Sequence, residues 1–414
     1  MIRIKPFKGI RPVKEMAQKV AAFPYDVVNS EEAREIAKDN PESFLHISKP
    51  EIDLSPEINQ YDESVYKKGR ENFENFLKNG ILFKEKEECL YIYTEKMGKV
   101  FQKGLVACCH IDDYLENRIK KHEHTRTDKE EDRIKHVDTI NANTGPVFLT
   151  YRKKAEVQEI IDSWINDHKP EYNFTTEDGI EHTFYVVDDI KTICKITGMF
   201  NDIEYLYVAD GHHRSAAAAK TGDRRRQANP DHTGNEEYNW FLSIIFSHDE
   251  LYIMDYNRAV KDLNGNSTEE FISKISEKFN VEKKSSQYKP ESLHTFGMYI
   301  DGNWYKLSAK DGIYDAEDVI DSLDVSILYK NVLSPVLGIG DPKTDKRIDF
   351  IGGIRGLNEL EKIVNNGKFK VTFSMYPTSI TQLMDVADAD KVMPPKSTWF
   401  EPKLRSGLII HELE

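Results

Sequence analysis

Apolar residues along the chain recur with two alternating periods, and the boundaries between them carry turn and capping signals. Asn29 with Glu32 reads as a capping box, and Ala33, Ile36 and Ala37 supply one apolar stripe before Pro41 ends the helix. Val65, Phe73, Phe76 and Leu77 keep the helical period, and Gly80 fits its stop. Two strands are expected over 90–94 and 100–111, joined around Met97-Gly98. Thr127 and Glu130 read as a second box opening a helix with Ile134, Val137 and Ile140 on one face, broken by residues 143–146. A strand over 147–151 and a strongly amphipathic helix over 157–165 follow. Next comes an apolar run, 205–208, then Asp210-Gly211-His212-His213-Arg214 and an alanine-rich helix over 215–220. Residues 221–237, with Arg224, Arg225 and Arg226, read as a charged loop. Strands are expected over 240–246 and 251–254, and Ser267 with Glu270 caps a helix carrying Phe271, Ile272 and Ile275. Helix and strand signals alternate throughout, so the fold class is α/β (mixed α+β), with a second α/β module from about residue 250.

Composition narrows the function classes. The chain has 414 residues, 39% hydrophobic, with a formal net charge of −14. That balance argues against wholesale nucleic-acid binding while leaving room for a small basic pocket. No apolar run approaches the roughly 20 residues that span a bilayer, and the N-terminus lacks a long apolar segment of secretory type. Four cysteines, Cys89, Cys108, Cys109 and Cys194, include no C-x-x-C pair. The pattern suits a reduced cytoplasm, so a cytoplasmic location is expected.

The chemistry concentrates at Asp210-Gly211-His212-His213-Arg214-Ser215. A strand, a tight glycine turn and a helix start form an anion nest: free backbone N–H groups and the positive helix end converge there. Gly211 permits the turn, Arg214 can grip phosphate oxygens as a fork, and His212 and His213 add donors. The competing interpretation is a polar loop that happens to hold two histidines. A second cluster is His122-Glu123-His124-Thr125-Arg126. It is not an H-E-x-x-H zinc motif, because position 126 is arginine. Its functional reading makes Glu123 a carboxylate base and Arg126 an anion binder; its plain reading is a charged segment before a helix. Phe23-Pro24-Tyr25-Asp26 forms a third candidate, more simply a core-edge strand, and Glu31 and Glu32 in the next helix suit the dipole anyway. Gly338-Ile339-Gly340 lacks the third glycine of a dinucleotide fingerprint, and no Walker-type loop occurs. The run Met393-Pro394-Pro395-Lys396-Ser397-Thr398-Trp399-Phe400 reads as a strap that could present Lys396 or Ser397 to a ligand, or simply cover a core.

The ordered series FPYDVV, NPESFLHISKPEIDL, IDDY, KKHEHTR, KEEDR, ADGHHR, LDVSILY and MPPKSTWFEPKLRSGL closely resembles the bacterial and archaeal domain-of-unknown-function family one thousand fifteen, linked to SerK-like free serine kinases. The resemblance implies a ParB/sulfiredoxin-like nucleotide-binding core over 1–247, with an insertion of about 55–190, and a C-terminal α/β module over 248–414. It implies phosphorylation of free L-serine to O-phosphoserine, with ATP or ADP as donor and Mg²⁺. Residues 210–215 would then hold phosphate, Asp210 the metal, and His122, His124, Thr125 and Arg126 the amino acid. Glu31, Glu32 and Glu123 compete as the base. The expected partner is a small molecule, not nucleic acid or membrane, with homo-oligomerisation left open. The alternative is a nucleotide-binding regulatory protein of the ParB-like class without turnover. A sulfiredoxin-like repair enzyme is weaker still, since Cys108 and Cys109 resemble strand residues.

Overall fold

Helices begin where side chains can satisfy the first unbonded amides. Asn29 accepts from the Glu32 N–H at 2.9 Å while the Glu32 carboxylate accepts from the Asn29 N–H at 2.8 Å, opening the helix Ser30–Ala37. Ser267 and Glu270 reciprocate in the same way ahead of Thr268–Ser276. The computed structural model describes residues 1–414, and its fold is mixed α+β. No helix is long and apolar enough to cross a membrane.

Three local expectations shift. The helix Thr127–Ile140 has no side-chain cap. The Glu130 carboxylate is buried, taking hydrogen bonds from Thr125 Oγ1 at 2.8 Å and from Lys220. That helix stops on left-handed Asn141, φ +63°, ahead of residues 143–146. The charged stretch after Arg214 is not a loop: the helix runs His212–Ala228. Arg224, Arg225 and Arg226 find Glu131, Asp138 and Asp112 at 2.6, 2.9 and 2.8 Å, so their charges lie on a helix face beside carboxylates. The strand expected over 251–254 lies instead at Tyr256–Val260.

The chain divides into two compact units, residues 1–251 with 402–414, and residues 252–401. This differs from the expected 248–414 module, because the last residues pair inside the first unit. Ile10 bridges Ile410, Ala22 bridges Ser406, and His411–Glu412 pairs with Ala142–Asn143. Residues 55–190, expected as an insertion, contribute six strands that join Leu206–Asp210 and Trp240–Ser247 in one sheet.

In the first unit that sheet runs Ile119–Lys120, Leu206–Asp210, Val147–Tyr151, Trp240–Ser247, Val100–His110, Leu90–Met97, Glu181–Val187, Tyr172–Thr175, with Ile4–Lys5 also on Val100–His110. Buried Ile92, Leu105, Leu149, Val208 and Ile245 pack with Val157 and Ile161 of the helix Ala155–Asp167 and Ile193 and Ile196 of Ile190–Phe200. The pairing brings separated segments together. Leu206–Asp210 is parallel to Ile119–Lys120 and antiparallel to Val147–Tyr151. The turn after residue 210, the segment after residue 120 and the segment before residue 147 therefore share one sheet edge.

The second unit is built on an antiparallel sheet in the order Phe279–Lys284, Asn303–Ala309, Thr295–Ile300, Val371–Ser374, Tyr256–Val260, Ile348–Gly352. Ala259, Tyr299, Trp304, Leu360 and Phe369 form a core cluster against the helix Gly356–Asn365.

Candidate functional site

The strand ending at Asp210 turns on Gly211, whose φ of +89° and ψ of 34° lie in the left-handed region that favours glycine. No side chain caps the helix that follows. Its first-turn amides, at His212, His213 and Arg214, have no carbonyl four residues back within the helix.

Arg214 is the organising cation. It is 9% exposed, and its Nη1 donates to the Pro146 carbonyl. Its Nη2 lies 3.5 Å from Asp210 and 3.6 Å from Asp26, while Nε has no hydrogen-bond partner. Burial alone would raise the Asp210 carboxyl; the Lys403 ammonium and Arg214 guanidinium outweigh it and hold the carboxyl below its usual range. Arg214 also lines a small cavity, about 30 Å³, with Tyr25, Ser48, Arg133, His136 and Ser406.

The two histidine-bearing motifs meet. His122 and His212 are buried with ring centroids 4.4 Å apart, edge to face. His122 bonds the Val208 carbonyl, and burial pushes its pKa down to about 4. Burial and the neighbouring His122 hold His212 well below the ordinary value. His122 Nδ1 and His212 Nε2 lack partners. With Arg214 Nε and the Ser48 hydroxyl, four buried polar atoms are unsatisfied around one helix start and its cavity. Such a group typically costs about 1–3 kcal/mol, so their concentration here sets this region apart from the rest of the core.

The remaining sequence candidates divide. Glu123 is half-exposed, with Oε2 3.9 Å from His212 Nδ1. The Arg126 N–H donates to His213 Nε2 at 3.1 Å, but its guanidinium is exposed and paired with Asp128 at 2.8 Å. His124 is exposed, and the Thr125 hydroxyl is engaged by Glu130. Ser215 is fully buried and donates back to the His212 carbonyl at 3.0 Å, so it serves the helix and not the turn. Glu31 is exposed, and the Glu32 carboxylate is held by the capping box.

Other site residues differ from their sequence reading or escape it. Tyr25 and Asp26 lie in a turn, not a core-edge strand; Asp26 reaches Arg214, and the Tyr25 ring lies 4.1 Å from the Arg133 guanidinium. Arg133 and His136 share the helix face of Val137 and Ile140, a 3-1-3 spacing on which polar residues interrupt an apolar stripe. Lys49 and Glu51 form a buried pair at 3.1 Å, Ser30 donates to Glu51 at 2.8 Å, and Glu51 adds to the field that keeps Arg133 charged. From the C-terminal run, Lys403, Arg405 and Ser406 belong to this unit, and Arg405 stacks on Phe23 at 3.9 Å. Lys396 and Ser397, the expected contacts, belong to the second unit.

No curated protein matches this chain in sequence. Solved structures similar to it include a variant free serine kinase in complex with AMP, 14% identical over 76% of this chain and 88% of that one, TM-score 0.34. Another variant free serine kinase, in complex with ADP, is 15% identical over 73% and 88%, TM-score 0.34. The C-terminally truncated SbnI from Staphylococcus aureus is 10% identical over 72% and 84%, TM-score 0.37. Residues 4–326 match the family described as "Protein of unknown function (DUF1015)", and the chain belongs to that family.

Proposed function

We propose that this protein is a small-molecule kinase, transferring a phosphoryl group from ATP or ADP to the hydroxyl of free L-serine and giving O-phosphoserine. One observation carries the reading: a buried guanidinium with an unused Nε–H stands at an uncapped helix start, between two carboxylates and beside two neutral imidazoles. Phosphoryl transfer asks for positioning and charge neutralisation more than covalent help. The amides after Gly211 and the Arg214 fork would hold the donor's phosphates. The serine oxygen attacks the terminal phosphorus, the bond to the leaving phosphate oxygen breaks, and the hydroxyl proton passes to a carboxylate. Glu123 suits that task better than Glu31 or Glu32, since it stands beside His212, whereas the Glu32 carboxylate is held by the helix cap. Arg126 would leave Asp128 to meet the amino acid's carboxylate.

No three His, Cys, Asp or Glu side chains are grouped to enclose a metal. Asp210 and Asp26 flank Arg214 with about a third of each side chain exposed, which fits Mg²⁺ held by one or two carboxylates together with phosphate oxygens. When bound, Mg²⁺ supplies charge neutralisation at the phosphates.

The test incubates the full chain with Mg²⁺, ATP, ADP or CTP, and a panel of hydroxy amino acids, followed by phosphorus NMR. O-phosphoserine should form with ATP or ADP and vanish in Arg214→Ala, with Arg214→Lys failing to restore it. Nucleotide-induced thermal stabilisation without product from any pairing would replace this reading with a regulatory nucleotide-binding role.

A further inference from the structure

The second unit holds a cavity of its own, about 400 Å³, in the size range of small-molecule sites. Two of the sequence runs that phosphoryl transfer leaves unused, 323–329 and 393–400, converge on it. Val325, Ser326 and Tyr329 come from the first, Pro394 and Pro395 from the second. The strand Tyr256–Val260, next to the edge strand Ile348–Gly352, contributes Arg258.

Arg258 is 3% exposed. It donates to two backbone carbonyls, of Tyr256 and, at 3.0 Å, of Lys396, and the Phe350 ring centre lies 5.2 Å from its Cζ. No carboxylate pairs with it. The other buried arginines all have one: Arg11 has Glu85, Arg214 has Asp26 and Asp210, Arg405 has Asp178. Burial lowers the Arg258 pKa only to about 10, so the group stays charged at neutral pH. A buried charge without a counter-charge is costly, and the guanidinium's five N–H groups are only partly used by two carbonyls. The Ser326 hydroxyl, also 3% exposed, has no partner at all. Most of the remaining lining is apolar, with exposed Lys330 and Asp341 at its solvent side; Lys330 is already paired with Asp321.

We infer that this cavity binds a small organic anion, its carboxylate or phosphate head on Arg258 and the Ser326 hydroxyl, its apolar body against Val325, Leu333 and Phe350. The fork geometry of the guanidinium suits either oxyanion. This site belongs wholly to the second unit and does not depend on the kinase reading.

Calorimetric titration of the full chain with phenyl phosphate, phenylacetate and neutral phenylacetamide tests it. One or both anions should bind, at least tenfold more tightly than the amide, and the stronger of the two identifies the head group. Arg258→Met should lower that affinity at least tenfold. Val325→Trp, which fills the cavity without touching the charge, should do the same, whereas Arg214→Ala should leave it unchanged. The inference is overturned if neither anion outbinds the amide, or if binding survives Val325→Trp. Should Arg258→Met fail to fold, the anion-to-amide ratio and the Val325→Trp result decide alone.

Discussion

Two neutral imidazoles packed edge to face inside the first unit make its stability depend on pH in a calculable way. His122 is 3% exposed, and burial holds its pKa at about 4 against an ordinary value of 6.5. A depressed histidine pKa contributes stability that is complete above 6.5 and lost as pH falls towards 4, because the unfolded chain takes up the proton first. The full loss for this drop is about 3 kcal/mol, of which about 2 kcal/mol is gone by pH 5. His122→Phe keeps an aromatic ring against His212 but cannot donate to the Val208 carbonyl, a deletion costing on the order of 1 kcal/mol at every pH. The variant should therefore be less stable than the parent at pH 8 and equal or more stable at pH 5. His110, His136 and His182 are also held low, at about 4, 3 and 3, so the parent's own slope is steeper. The difference between the two proteins isolates His122. Urea titrations at both pH values, followed by hydrogen exchange of peptides from the helix His212–Ala228, read the first unit separately. Parallel curves for parent and variant, or an NMR signal from His122 titrating near 6.5, would refute the argument.

Further outcomes follow from neighbouring geometry. Gly211→Ala puts a Cβ at a φ of +89°, 3.0 Å from Arg214 Nε and 3.1 Å from Cζ. It should cost roughly 1–2 kcal/mol and abolish the thermal shift produced by ATP. Glu123→Gln should leave nucleotide affinity within about twofold and remove product formation, since a base acts only as the bond forms. Glu32→Ala should lower stability by about 1 kcal/mol through the lost cap and leave turnover intact. In the second unit, burial raises the Asp324 carboxyl to about 7, although the His294 N–H bond opposes it. The stability tied to that carboxyl is complete below its unfolded pKa of about 4 and lost as pH rises through 7. Asp324→Asn should flatten this slope, with a gain of a few kcal/mol above pH 7 in denaturant titrations that follow peptides of 295–300.

Capping and turn chemistry made much of the fold readable. Asn29, Glu32, Ser267 and Glu270 act locally, so their helices start where the residues demand. The helix after Arg214 was not readable past residue 220 because its continuation depends on Glu131, Asp138 and Asp112, which are distant in sequence. Thr127 fails as a cap for a related reason: Glu130 is drawn inward to Thr125 and Lys220. The glycine turn announced itself through Gly211, and its approach to His122 and Arg126 follows from a parallel strand pairing that no local pattern encodes. Lys49, Glu51 and Arg133 went unnoticed since charged residues in apolar runs ordinarily point to solvent. The first two form a buried pair here, and Arg133 sits beside Asp132 and the Tyr25 ring.

Because residues 402–414 complete a body that begins at residue 1, the first unit is interrupted in sequence while the second is continuous. During synthesis the later unit can therefore finish folding first, and the earlier one must wait for Lys403, Arg405, Ser406 and the His411–Glu412 strand to leave the ribosome. A chain cut before residue 402 would keep every residue of the second unit and leave the first incomplete. Restraining residues 402–414 would disturb the Arg214 cavity that Ser406 lines, even though these residues lie some two hundred positions beyond Gly211.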